Sequence, residues 1–266
     1  MIERWQRIGS VLVKLQLANE RTASCVGYTI GDSHLAADSG MVPDYTLKIE
    51  DGYGESYDEV TPVAYEKDGD GGIKVTRADF RLESEADLKT ASLRFHDYFG
   101  LRTGLLNWLS RILARLNWGM LIHSSCIVQD GQAYIFSGYS GAGKTTIASM
   151  SRPRPIMADE TALVELCEDG RVLIHDSPFR NDFKEPYRAG PVPLKGIYLI
   201  KQSPNVEQHL MSKSAAMLSL FDKIVFWRFE RDESLGLIRQ CRALVERIPV
   251  YELEFQKNDR FWEAIS

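Results

Sequence analysis

From about residue 8 to residue 83 the chain alternates apolar and polar positions in short segments, among them Ser10-Val-Leu-Val-Lys14, Tyr45-Thr-Leu-Lys-Ile49 and Ile73-Lys-Val-Thr-Arg-Ala-Asp-Phe80. A period of two places successive side chains on opposite faces, so these segments predict strands. The stretches Asp51-Gly-Tyr-Gly54 and Asp68-Gly-Asp-Gly-Gly72 interrupt them, and the second is flanked like a β-hairpin. Asp68-x-Asp70 lacks the later acidic ligands of a calcium loop and reads as an exposed turn. The period then changes. Leu101, Leu105, Trp108, Leu109, Ile112, Leu113 and Leu116 recur at helical spacing with Arg102, Arg111 and Arg115 between them. This predicts an amphipathic helix that starts near Ala86, breaks around Gly100 and packs its apolar face on the sheet of the domain that follows.

Met120-Leu-Ile-His-Ser-Ser-Cys-Ile-Val128 and Ala133-Tyr-Ile-Phe-Ser137 read as two strands joined at Asp130-Gly131. A short helix follows, stopped at Arg152-Pro-Arg-Pro155 because proline has no N–H and restricts the residue before it. Strands are expected at 156–160, 162–167, 171–175 and 196–201, helices at 212–222 and 233–247, a strand at 250–255 and a last helix after Asn258. Ser177 to Pro193 has neither period and reads as a long loop, a kind of segment that is often functional. The expected organisation is a β-rich N-terminal domain over 1–85, a connecting helical region over 86–118 and a nucleotide-binding domain over 119–266.

Composition narrows the setting. With 266 residues, 44% hydrophobic and 26% charged, the chain is ordinary for a globular protein, and a net charge of -5 gives no pull towards nucleic acid. A phosphate site here has to be locally basic. Cys25, Cys126, Cys167 and Cys241 are widely spaced, with neither zinc-ligand spacing nor a disulfide framework. The first residues lack a signal-peptide core and no apolar run approaches a membrane span, so the expectation is a cytoplasmic protein without a membrane partner.

The stretch Gly138-Tyr-Ser-Gly-Ala-Gly143-Lys144-Thr145 fits G-x-x-x-x-G-K-S/T at every fixed position, between a predicted strand and a predicted helix. Glycines let the backbone curl until successive N–H groups point inward as an anion nest. Gly138, Ser140, Gly141, Ala142, Gly143, Lys144, Thr145 and Thr146 are the candidate nucleotide-binding residues, with Lys144 on the β/γ-phosphates and Thr145 on Mg²⁺. Asp159 ends the next apolar strand, where a carboxylate would coordinate Mg²⁺ or accept a proton from an attacking hydroxyl, and Glu160 follows it. His123 lies on the strand of the preceding hairpin, a position equally open to a structural part.

The run His123-Ser-Ser-Cys-Ile-Val, the turn at Gly131, then Ser-Gly-Tyr-Ser-Gly-Ala-Gly-Lys-Thr-Thr and Met-Ala-Asp-Glu, resembles the catalytic domain of the bacterial HPr kinase/phosphorylase group. The likeness covers about residues 119–202, and more weakly the rest. It implies a mixed α/β fold of the phosphoenolpyruvate carboxykinase/HPr kinase type with a small β-rich N-terminal domain, as in related kinases of peptide-modification clusters. It also implies an ATP- and Mg²⁺-dependent serine kinase. Asp159 would be the base, Glu160 would stand where the family has a second Asp near the metal, and His123 would lie beside the transferred phosphate. Arg180 would neutralise charge on the moving group, with binding of carboxylates on the surface as its alternative. Glu160 departs from the family pattern, and HPr-docking features are absent from the C-terminal part. The acceptor stays open between a protein, a peptide and a small molecule, and the family's habit of assembling leaves a homo-oligomer open. A nucleotide-driven switch that phosphorylates nothing fits the same loop.

Overall fold

Main-chain pairing between strands organises both halves of the chain, and helices fill in around it. The computed structural model describes residues 1–31, 35–36, 40, 42–183, 185–187, 189–227 and 231–265. Two compact units divide at Met1–Ile112 and Leu113–Ser266.

The first unit contains β1 (Ile2–Ile8), β2 (Val11–Leu17), α1 (Glu20–Ile30), β3 (Leu35–Ala36), β4 (Tyr45–Asp51), β5 (Ala64–Lys67), β6 (Ile73–Arg77), β7 (Phe80–Ser84), β8 (Thr90–Phe95) and most of α2 (Tyr98–Arg115). They form one sheet in the order β3-β1-β2-β4-β8-β7-β6-β5. β2, β4 and β8 run parallel, and the remaining neighbours are antiparallel. The expected hairpin at 68–72 is present: Asp68 Oδ1 accepts the amides of Asp70 at 3.0 Å and Gly72 at 2.6 Å, so the carboxylate closes the turn.

Three expectations for this unit are revised. Helix α1 was absent from the pattern reading; it is nucleated by Asn19, whose side chain accepts the Thr22 amide, and ends at Gly31 with φ 69°. The helix expected from Ala86 is preceded by strand β8, whose alternation Thr90-Ala-Ser-Leu-Arg-Phe95 has the period of a strand. Gly100 does not break α2. A Cβ there would sit 2.3 Å from the Asp79 carbonyl oxygen, so glycine permits the helix to approach the β6–β7 turn. The apolar face of α2 packs within its own unit: a Cβ at Gly104 would fall 2.4 Å from the Leu93 side chain, and the Trp108 ring meets Tyr45 edge to face at 6.0 Å.

The second unit contains β9 (Gly119–Gln129), β10 (Gln132–Ser137), α3 (Lys144–Met150), β11 (Ile156–Ala158), β12 (Thr161–Leu166), β13 (Val172–His175), β14 (Val192–Gln202), β15 (Glu207–Leu210), α4 (Lys213–Phe221), α5 (Arg231–Arg247), β16 (Val250–Phe255) and α6 (Phe261–Ile265). The β9–β10 hairpin turns on Asp130 at φ 51° and Gly131 at φ 72°, the pair of positive φ values a two-residue hairpin requires. Strands β10, β9, β12, β13 and β14 pair in sequence, and β10 pairs again with β14, closing a five-stranded barrel; β16 and β15 continue outward from β14.

This closure corrects the expected mixed α/β fold of the phosphoenolpyruvate carboxykinase/HPr kinase type. The described residues are 37% strand and 26% helix, built on a closed barrel and a large sheet. The physical reason is connectivity. β9 to β10 and β12 to β13 are antiparallel neighbours, so helices do not alternate with parallel strands as an α/β sheet demands. The C-terminal helices and the 250–255 strand lie close to where periodicity put them. The long segment expected at 177–193 is without helix or strand up to β14, with Lys184 and Arg188 outside the described residues.

Strand β10 feeds two cores. Ala133 and Ile135 join a cluster with β9, β12, β13, α4 and α5, while Tyr134 and Phe136 join an aromatic cluster with Tyr198, Phe255, Phe261 and Trp262. Burial on both faces explains why this strand reads as a continuous apolar run. The four cysteines are unpaired thiols, with Cys126 and Cys241 buried. Among the described residues no helix is long and apolar enough to cross a membrane. Phe136 is fully buried and its ring lies 5.4 Å from Tyr198 and 5.8 Å from Phe261 and Trp262. Phe136→Ala is expected to lower the unfolding free energy by about 3–5 kcal/mol in a urea titration.

Candidate functional site

The barrel delivers the glycine-rich loop at the end of β10. Ser137 is tied back to β9 through its hydroxyl, which donates to the His123 carbonyl at 2.7 Å. At Gly138 a Cβ would lie 2.8 Å from Ala142 Cβ, and at Gly143, where φ is 108°, it would lie 2.9 Å from the Phe255 ring. The loop therefore curls against its own Ala142 and against β16, where only glycine fits. Gly141, at φ 79°, supplies another left-handed residue, and the Ala142 amide donates to the Tyr139 carbonyl at 3.1 Å. Ser140 and Thr145 are exposed, and Thr146 is half-buried. The seven-residue α3 that follows is held by Ile147 and Ala148 in the aromatic cluster and by Trp262, whose indole N–H donates to Ser151 Oγ at 3.1 Å.

Lys144 is buried, and its ammonium donates to the carbonyls of Gly138 at 2.9 Å and Tyr139 at 3.1 Å, spanning the loop from within. Burial holds its pKa below the ordinary lysine value, Lys223 depresses it further and Glu160 opposes both. Lys223 had no signal in the sequence, because it lies far along the chain just after α4. Its ammonium sits 3.4 Å from the centre of the Tyr139 ring and donates to Asp222 at 2.7 Å.

Opposite the loop, the bend between β11 and β12 carries Asp159 and Glu160. The two carboxylates have different work. Asp159 is 2% exposed and accepts the main-chain amides of Asn181 at 3.1 Å, Asp182 at 2.6 Å and Phe183 at 3.1 Å. A carboxylate enclosed by three amides anchors that segment. Glu160 instead faces the loop: its side chain accepts Asn181 Nδ2 at 2.8 Å and lies 3.5 Å from His123 Nδ1. His123 Nδ1 also donates to the Glu160 main-chain carbonyl at 2.9 Å, which puts a proton on Nδ1.

Arg180 lies inside the protein rather than on the surface. It is 4% exposed, and its guanidinium donates to the carbonyls of Ser177, Ile156, Phe183 and Met157 and to Asp176. Burial pushes the Asp176 carboxyl up to about 6 against the pull of Arg180, so at neutral pH it stands ionised beside the guanidinium. Of the sequence candidates, the structure thus brings together the loop residues, Lys144, Thr145, Glu160 and His123. Asp159 and Arg180 fasten the wall beside them.

For a metal, no cluster of three or more His, Cys, Asp or Glu side chains forms among the described residues. Oxygens at the loop include the exposed Ser140 and Thr145 hydroxyls and the Glu160 carboxylate. That set fits Mg²⁺, which keeps several waters and binds chiefly through nucleotide phosphates with one or two protein oxygens. Asp159→Asn should keep the side-chain shape but lose the charge that the three amides face. The expected loss is about 1.5–3 kcal/mol in thermal or urea unfolding, with faster proteolysis in the 177–183 segment; unchanged stability would refute the anchoring part.

No curated protein matches the chain. A family profile, described as SynChlorMet cassette protein ScmC, matches residues 106–266, more than half of the chain and all of the second unit. The chain belongs to the SynChlorMet cassette protein ScmC family.

Proposed function

We propose that this protein is an ATP- and Mg²⁺-dependent kinase that transfers the γ-phosphoryl group to a hydroxyl, serine in a peptide or protein. The observation that carries this reading is the complete G-x-x-x-x-G-K-T run folded as strand, left-handed glycine loop and helix, with a buried lysine ammonium across it. The order of His123, loop and Asp159-Glu160 is also that of the HPr kinase/phosphorylase group, here on a different fold.

The loop amides and Lys144 hold the β- and γ-phosphates. Thr145 and Glu160 hold Mg²⁺, which when bound neutralises charge on the phosphates. The acceptor oxygen forms a bond to the γ-phosphorus, the bond from that phosphorus to the bridging oxygen breaks, and ADP leaves with the electron pair. The acceptor proton passes to His123 Nε2, the ring nitrogen left basic by the Nδ1–H bond to the Glu160 carbonyl. Lys144 entering with a depressed pKa suits this role, because phosphate restores the counter-charge that burial withholds. The acceptor class is supported by the family description, a cassette protein tied to a peptide-modification cluster.

With γ-labelled ATP and an extract of the host cell, label is expected in a second molecule, a peptide or protein. Lys144→Ala should lose nucleotide binding, and His123→Gln should retain binding while transfer drops by about 100-fold or more. Label released only as free phosphate, or not at all, would replace the kinase by a nucleotide-driven switch.

A further inference from the structure

The pairing along β9 brings a distant segment to the mouth of the phosphate loop. One edge of β9 pairs with β10 over Ser124–Gln129, ending at Ser124 opposite Ser137, where the chain peels away into the loop. The same edge then continues with a different partner. His123 N donates to the Lys223 carbonyl and Val225 N donates to the Leu121 carbonyl, both at 2.8 Å, with Ile122 bridged to Ile224. The opposite edge is taken by β12, where Ser124 N donates to the Glu160 carbonyl. Lys223 therefore occupies the place β10 vacates on leaving the barrel, and it is fixed there by main-chain hydrogen bonds.

Its side chain is committed to the loop. The Lys223 side chain is 7% exposed and its ammonium lies over the ring of Tyr139, the residue that follows Gly138. The ring itself is 74% exposed. Lys223 is close enough to Lys144 to depress its pKa, and Lys144 reaches the loop from the opposite end of the same turn. Holding two ammonium groups against one loop is costly, and Asp222, on the outer side of Lys223, is half exposed and screened by water. A multiply charged anion between the two cations relieves that cost.

We propose that Lys223 is a second phosphate-binding residue of this site, gripping the terminal phosphate of a nucleoside triphosphate from the side opposite Lys144 and making the site prefer triphosphate to diphosphate. The inference rests on the nucleotide reading above and adds to it the origin of that preference. Lys144, rooted in the loop, serves both nucleotides. Lys223, arriving from outside the motif, serves the phosphate that only the triphosphate has. The Tyr139 ring holds the ammonium until that phosphate takes it over.

The test is calorimetric titration of the full chain with MgATP and MgADP, comparing Lys223→Met, Lys223→Gln, Lys223→Arg and Tyr139→Leu, each checked for wild-type circular dichroism and melting temperature. Wild type is expected to bind MgATP more tightly than MgADP. Lys223→Met and Lys223→Gln should weaken MgATP by about 10- to 100-fold and MgADP by much less, removing the preference. Lys223→Arg should keep most of it, and Tyr139→Leu should leave the ATP to ADP ratio standing, since it removes the ring and not the charge. Equal weakening of both nucleotides, or unchanged MgATP affinity in both neutral variants, would overturn the proposal while leaving the nucleotide site intact. Wild-type protein that binds neither nucleotide would overturn both.

Discussion

Strand β10 can release the glycine loop at a fixed point because it is gripped on both edges, antiparallel to β9 and parallel to β14. The second pairing is the one that closes the barrel, and everything at the candidate site hangs from it. It sets where Ser137 ends, sends Tyr134 and Phe136 outward to form the aromatic bed of α3, and leaves the edge of β9 beyond Ser124 open to another partner. A loop that must present several N–H groups towards one anion tolerates little drift of its ends. A closed ring of strands gives those ends less freedom than an open sheet edge would.

Charge is distributed around that point by division of labour. Asp159 and Arg180 carry full charges but spend them on main-chain amides and carbonyls, turning an irregular segment into a rigid wall. Glu160, His123, Lys144 and Lys223 keep their polar ends directed at the loop and at one another. Neighbours in sequence thus part ways in chemistry: Asp159 turns into the protein and Glu160 turns to the loop, as successive residues at a strand end do.

Much of this was legible beforehand where the signal was local. The phosphate loop, its flanking strand and helix, the hairpin at Asp130-Gly131 and the C-terminal helices follow from periodicity and turn chemistry within short windows. What stayed hidden depended on distant partners. Barrel closure needs β14 to reach back to β10, and nothing in Val192–Gln202 announces which strand it joins. Lys223 is one lysine among many until Leu121 and His123 bind its segment. Asp159 and Arg180 carried the residue types of a base and a phosphate clamp, and only the amides and carbonyls around them show that the backbone has taken them up. Helix α1 was concealed differently: its Thr, Ser, Val and Tyr residues have weak helical preference, and the Asn19 cap and burial of Val26 and Ile30 decide the matter.

The Arg180 guanidinium reads four carbonyl oxygens and one carboxylate. A carbonyl is the same whatever side chain its residue bears, so the clamp is nearly blind to the identity of Ser177, Phe183, Ile156 and Met157. Only Asp176 and Arg180 itself are specified by chemistry, together with Asp159 on the amide side. The wall beside the loop can therefore change its outward side chains freely while keeping its course, a stiff frame with an interchangeable face. Such a frame keeps its course beside the glycine loop whatever its outward side chains are.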